Sequence, residues 1–90
     1  MARKEKVTGV IDGDTFTTAS RKNPVRIANV DAPEKGQPGA GAAKSALEKL
    51  ILNKTVNIET KARDPYGRSV ANVKVGVRSV NKAMRDKLKK

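Results

Sequence analysis

The 90-residue chain has no cysteine, no histidine and no tryptophan, and only one tyrosine and one phenylalanine. Without cysteine, no disulfide braces the domain and nothing marks an oxidising compartment. Without histidine, nucleophilic catalysis of the Ser-His or Cys-His kind is excluded, and the absence of both residues argues against a zinc site. Any metal would be a hard cation held by oxygens, such as calcium or magnesium. Two aromatics cannot make a platform of several stacked bases. There is no membrane-spanning apolar run, and Met1 to Lys6 has no apolar stretch behind it to form a signal peptide. We therefore expect no membrane association and a cytoplasmic protein, or a secreted one if a leader has been removed.

What the chain has in excess is positive charge: 20 Lys and Arg against 9 Asp and Glu, for a formal net charge of +11. The cations run along the whole chain. The plain reading is a solubility surface, and the sharper one is a polyanionic partner, most often nucleic acid. A chain of this length makes one domain, residues 1–90, which buries roughly 60–65% of its extended surface and so has a thin core. We expect a monomer.

Val7 to Ile11 reads as a strand broken at Gly9, and Asp12-Gly13 as a hairpin turn pair that tolerates positive φ. Thr15 to Ala19 is the return strand, and Val25 to Val30 a third, which Pro33 ends at about Asp31 because proline cannot donate to a ladder. Lys35 to Gly41 is a loop. Gly39 to Ser45 imitates a phosphate-binding loop, but Ala43 and Pro38 stand where glycines are required. From Ala42 onward, Ala43, Ala46, Leu47, Leu50 and Ile51 form a helical stripe, with Asn53 as C-cap. Thr55 to Ala62 alternates Val56, Ile58 and Ala62 inward, and Arg68 to Val75 is a fifth strand. Gly76 breaks the chain, and Ser79 caps a last helix with the stripe Val80, Ala83, Met84 and Leu88. Lys87, Lys89 and Lys90 fall at its C-terminus, where the dipole favours cations. The expected fold is mainly β with two helices: a five-stranded OB-fold barrel, with one helix between strands three and four and one at the C-terminus.

Asp12, Asp14, Asp31 and Glu34 are four of the nine acids and fall in two short stretches. Phosphodiester hydrolysis needs a metal to neutralise phosphate oxygens, a base to activate water and cations to meet the charge developing at phosphorus. Asp14 and Asp31 are the right type for one calcium or magnesium, and Glu34 for the base. Arg26 and Arg68 can clamp phosphate bidentately. Each has a plainer reading: Asp12 and Asp14 as turn residues, Asp31 and Glu34 as solvated acids at a strand exit, the arginines as two surface cations among twenty, and Tyr66 as a turn aromatic covering the core.

The ordered set Ile11-Asp12-Gly13-Asp14-Thr15, Val25-Arg26, Val30-Asp31-Ala32-Pro33-Glu34, Asp64-Pro65-Tyr66-Gly67-Arg68 and Val80-Asn81-Lys82-Ala83-Met84 resembles the staphylococcal nuclease (thermonuclease) family across roughly residues 7 to 86. The resemblance implies an OB-fold and a calcium-dependent endonuclease acting on DNA and RNA, with magnesium as the alternative ion. It implies that Asp14 and Asp31 hold the metal, that Glu34 activates water, that Arg26 and Arg68 clamp phosphate and that Tyr66 lies by the nucleotide. Ala32 falls where the family has a threonine whose backbone carbonyl meets the metal, and Pro65 where it often has a lysine. The family's best-known member continues into a further helix, so we expect a short form lacking it. A shallow barrel groove suits single-stranded DNA or RNA over duplex. The rival reading is a non-catalytic OB-fold module that only binds nucleic acid.

Overall fold

The computed structural model describes residues 3–88; Lys89 and Lys90, expected at the end of the last helix, lie outside the described residues. The elements are β1 (Arg3–Asp12), β2 (Thr15–Thr18), β3 (Val25–Ile27), α1 (Ala40–Ile51), β4 (Thr55–Arg63), β5 (Ser69–Val75), β6 (Arg78–Ser79) and α2 (Val80–Leu88). The sheet order is β3-β2-β1-β4-β5-β6, and a parallel β3–β5 pairing (Val25 with Ser69, Ile27 with Ala71) closes the first five strands into a barrel. This is the expected OB-fold, with its helix after the third strand and a C-terminal helix. The two-residue β6 is an addition. It returns from a tight turn in which Gly76 takes φ 61°, pairing Val75 with Arg78.

Gly9 does not break β1. It sits in a bulge: Val7 pairs with Thr18 but Gly9 with Thr17, and a second shift separates Val10 from Asp12. Each shift moves the inward positions by one, so Val7 and Val10 are buried while Ile11 is exposed. The bulges bend the long strand so that its first half pairs with β4 and its second half with β2. Phe16, Ile27, Leu47, Ile51, Ile58 and Met84 fill the core. Burying a side chain such as Phe16 contributes about 2–3 kcal/mol each. In α1 the buried residues are Ala43, Leu47 and Ile51, the predicted stripe.

Several boundaries differ from expectation. The third strand ends at Ile27, not near Asp31, because Asn29 adopts a left-handed φ of 60° that turns the chain. Ala62 is exposed, because the pairing shifts between Thr60 and Ala62. The C-cap of α1 is Leu52, and Asn53 follows it with φ 63°. Ser79 does cap α2, its Oγ accepting the Lys82 N–H at 3.2 Å. The buried Asn81 ties the helix to the barrel: its Oδ1 accepts the Val73 N–H at 2.7 Å, and its amide donates to the carbonyls of Ala28 (2.9 Å) and Ala71 (3.3 Å).

Candidate functional site

The β1–β2 hairpin places the first acid. Asp12 pairs with Thr15, so the two-residue turn is Gly13-Asp14, one position later than expected. Gly13 does not need a positive φ; it is required by crowding, since a Cβ there would lie 2.6 Å from Ala43 Cβ and 2.7 Å from Ala32 Cβ. The turn is thus wedged between α1 and the segment carrying Asp31. Asp14 is buried, and its Oδ1 accepts the Thr15 hydroxyl at 2.8 Å, while Oδ2 accepts the Ala32 N–H at 3.2 Å. Asp12 Oδ1 accepts the Asp14 N–H at 3.1 Å, which gives Asp12 the turn role. Burial pushes the Asp14 carboxyl above its ordinary range and the neighbouring Asp12 adds to the push, while Thr15 and the Ala32 N–H work against it.

Arg26, on β3 and opposite Thr15, supplies the cation. Its Nη2 faces three oxygens: Val30 O at 3.1 Å, Asp31 Oδ1 at 3.2 Å and Asp14 Oδ2 at 3.4 Å. The structure therefore brings Asp14, Asp31 and Arg26 together. The left-handed turn at Asn29 folds Val30 and Asp31 back over Arg26. Asp31 itself projects fully into solvent beside a groove of about 440 Å³ lined by Arg26, Ala28, Asn29, Val30, Asp31 and Val70.

Of the other predicted residues, Ala32 bonds to this junction, whereas among the described residues Glu34, Arg68 and Tyr66 make no hydrogen bond to it. Glu34 is exposed in the loop after Pro33, in a turn closed by its N–H to Gln37 Oε1 at 2.7 Å and by the Gln37 N–H to the Glu34 carbonyl at 2.9 Å. Ala32 meets the site through its N–H; the carbonyl nearest the cationic point is that of Val30. Arg68 is bound to Asp64 rather than to Asp14 or Asp31, and lies 5.5 Å from the ring centroid of the exposed Tyr66. The parallel register nonetheless relates the two arginines. Arg26 is level with Val70, and Arg68 stands one residue before β5 begins.

Among the described residues, no three acidic side chains cluster tightly enough to hold an ion on their own. The donor chemistry nevertheless fits a hard cation. Two carboxylates and a carbonyl converge on one positively charged nitrogen, and calcium and magnesium take such oxygens with waters completing the shell.

Three supports escaped the sequence reading. Asp64 holds Arg68, Asn81 joins α2 to β5, and Glu5 and Arg21 form an ion pair at 2.7 Å whose arginine also donates to Ser69 Oγ at 3.0 Å. Only Asp64 left a signal, an acid four residues before an arginine across a glycine turn.

The family model described as Staphylococcal nuclease homologue matches residues 24–87. Among curated proteins, a Haemophilus influenzae protein named an uncharacterized endonuclease is 35% identical over 82 residues, covering 88% of this chain and 46% of that protein. Protein ParB of Escherichia coli is 36% identical over 90 residues, covering 88% and 51%. A Shigella flexneri protein named micrococcal nuclease is 33% identical over 70 residues, covering 76% and 40%. The chain thus spans about half the length of these relatives or less.

Proposed function

The chain belongs to the staphylococcal nuclease family, and from that premise we propose that it is a metal-dependent phosphodiesterase that cuts DNA and RNA as an endonuclease. The observation that carries the reading is the junction of Asp14, Asp31 and Arg26 at the barrel rim beside an open groove, in a protein of net charge +11. Asp14, Asp31 and a backbone carbonyl, of Ala32 or Val30, would hold calcium, with magnesium as the alternative. When bound, the ion supplies charge neutralisation at the phosphate and a Lewis acid for its oxygens.

The chain's own residues do the rest. Arg26, on β3, and Arg68, one residue before β5, hold phosphate oxygens and meet the negative charge that grows on them. Glu34 accepts the proton of the attacking water at its carboxylate, and its exposed loop allows it to meet water and substrate together. Tyr66 offers an exposed ring to a base. The groove is shallow and open, so a flexible single strand suits it better than a duplex. The protein acts as a monomer. No helix among the described residues is long and apolar enough to cross a membrane.

Among the described residues Glu34 makes no hydrogen bond or ion pair with Asp14, Asp31 or Arg26, which favours the second reading, a module that binds nucleic acid without cutting it. One assay decides: cleavage of a fluorescent single-stranded DNA with calcium, with magnesium and with chelator, using Glu34→Gln as control. Metal-dependent cutting that collapses in the variant supports the enzyme and its base. Salt-sensitive binding without cutting under any metal overturns it. Equal rates on duplex and denatured DNA remove the single-strand preference.

A further inference from the structure

Asp64 makes more contacts than its turn requires. In the β4–β5 turn, its Oδ1 accepts the backbone N–H of Tyr66 at 3.0 Å and of Arg68 at 2.8 Å, and Gly67 takes φ 82° to close the loop. One oxygen suffices for that arrangement. The second, Oδ2, accepts Arg68 Nε at 2.5 Å. A guanidinium has five N–H donors in a planar fork, and this contact uses the one nearest the backbone. Among the described residues no protein acceptor takes the Nη groups of Arg68, whose side chain is about a quarter exposed.

The turn is also fixed from below. The Ser69 N–H donates to the Pro24 carbonyl at 3.2 Å, and Ser69 Oγ accepts from Arg21, which is paired with the buried Glu5. Arg68 therefore stands on an anchored base, with its side chain held at Nε and, among the described residues, no acceptor on its outer edge.

We propose that Asp64 is the positioning residue for Arg68, holding Nε so that the two Nη groups face a phosphate of the nucleic-acid substrate. This rests on the phosphodiesterase reading above. The carboxylate is suited to the task. Although partial burial acts to raise its pKa, the Arg68 backbone and guanidinium and the Tyr66 N–H together hold it below its ordinary range, so it stays charged at neutral pH.

Asp64→Asn separates the two roles, because the amide oxygen can still serve the turn while the amide nitrogen cannot accept from Nε. The experiment measures melting temperature, kcat and KM on a short single-stranded DNA for wild type, Asp64→Asn, Arg68→Ala and the double variant. We expect Asp64→Asn to melt as wild type and to lose roughly tenfold in kcat, the scale of one misdirected charge-assisted hydrogen bond. We expect no further loss when it is added to Arg68→Ala, since a residue acting through another has nothing left to act on. Wild-type rates in Asp64→Asn, or losses that multiply in the double variant, overturn the proposal. If Asp64→Asn fails to fold, Asp64→Ser keeps a turn acceptor without the second oxygen and takes its place under the same criteria. If even the wild type does not cut, the phosphodiesterase reading fails separately. The same variants are then compared for affinity to thymidine dinucleotide, followed by the emission of Tyr66, the sole tyrosine, 5.5 Å from the Arg68 guanidinium. Several-fold weaker binding by Asp64→Asn, absent in the Arg68→Ala background, sustains the positioning role; unchanged binding removes it.

Discussion

Replacing Glu5 by glutamine should destabilise the protein at neutral pH by about 3 kcal/mol and leave it nearly unaffected at pH 2. Glu5 lies on β1 with its side chain 2% exposed. Its oxygens accept from the Thr18 hydroxyl at 2.9 Å, the Ser20 hydroxyl at 2.8 Å, and Arg21 Nε at 2.8 Å and Nη2 at 2.7 Å. Burial alone would raise its pKa, but Arg21, Ser20 and Thr18 reverse that and hold it at about 2, against an ordinary 4.5. The folded protein therefore keeps the charge to lower pH than the unfolded chain does. The resulting stability is complete above pH 4.5 and is lost as the pH falls from 4.5 to about 2. At about 1.4 kcal/mol for each pH unit, that gap amounts to about 3 kcal/mol. A domain of this size has a total stability on the order of 5–13 kcal/mol, so the share is large. Urea unfolding followed by circular dichroism, on wild type and Glu5→Gln from pH 7 to pH 2, measures it. The difference between the two curves isolates Glu5 from the other acids. A difference that stays constant across the range would refute the reasoning, since the loss would then come from packing and not from charge.

Other outcomes follow from the same geometry. Gly13→Ala should cost about 1–3 kcal/mol in urea unfolding, because the new methyl meets two fixed Cβ atoms, and it should also slow cleavage by displacing Asp14 from Asp31. Asn81→Ala leaves the Val73 N–H and the Ala28 carbonyl without their buried partner; a loss of about 2–3 kcal/mol is expected, read as a lower melting temperature. Arg26→Gln removes the cation that neutralises Asp14 and Asp31, so calorimetry should show tighter calcium binding even as cleavage falls. Unchanged or weaker calcium binding would mean that the ion does not take these two carboxylates.

The sequence by itself determined the class of this protein. The missing histidine and cysteine confined any metal to oxygen ligands, the alternation of Val56 and Ile58 and the stripe of Ala43, Leu47 and Ile51 gave strand and helix, and the order of elements gave the barrel. Such features are local, because side-chain period and donor type are properties of neighbouring residues. Asp14, Asp31 and Arg26 were legible as candidates for a similar reason: two are among only nine acids in a strongly basic chain, and all three fall in short stretches of recognisable residue type. Tertiary structure alone decided the rest. The bulges of β1 set which of its residues face inward, and the crowding of Gly13 against Ala32 and Ala43 fixed the turn that carries Asp14. Glu5, Arg21 and Ser69 come from three separate segments, and nothing in the spacing of sixteen residues from Glu5 to Arg21, or forty-eight from Arg21 to Ser69, announces that they meet. Barrel closure brings them together: joining β3 to β5 sets residues far apart in the chain side by side, and a buried charge then holds only where those partners complete its hydrogen bonds.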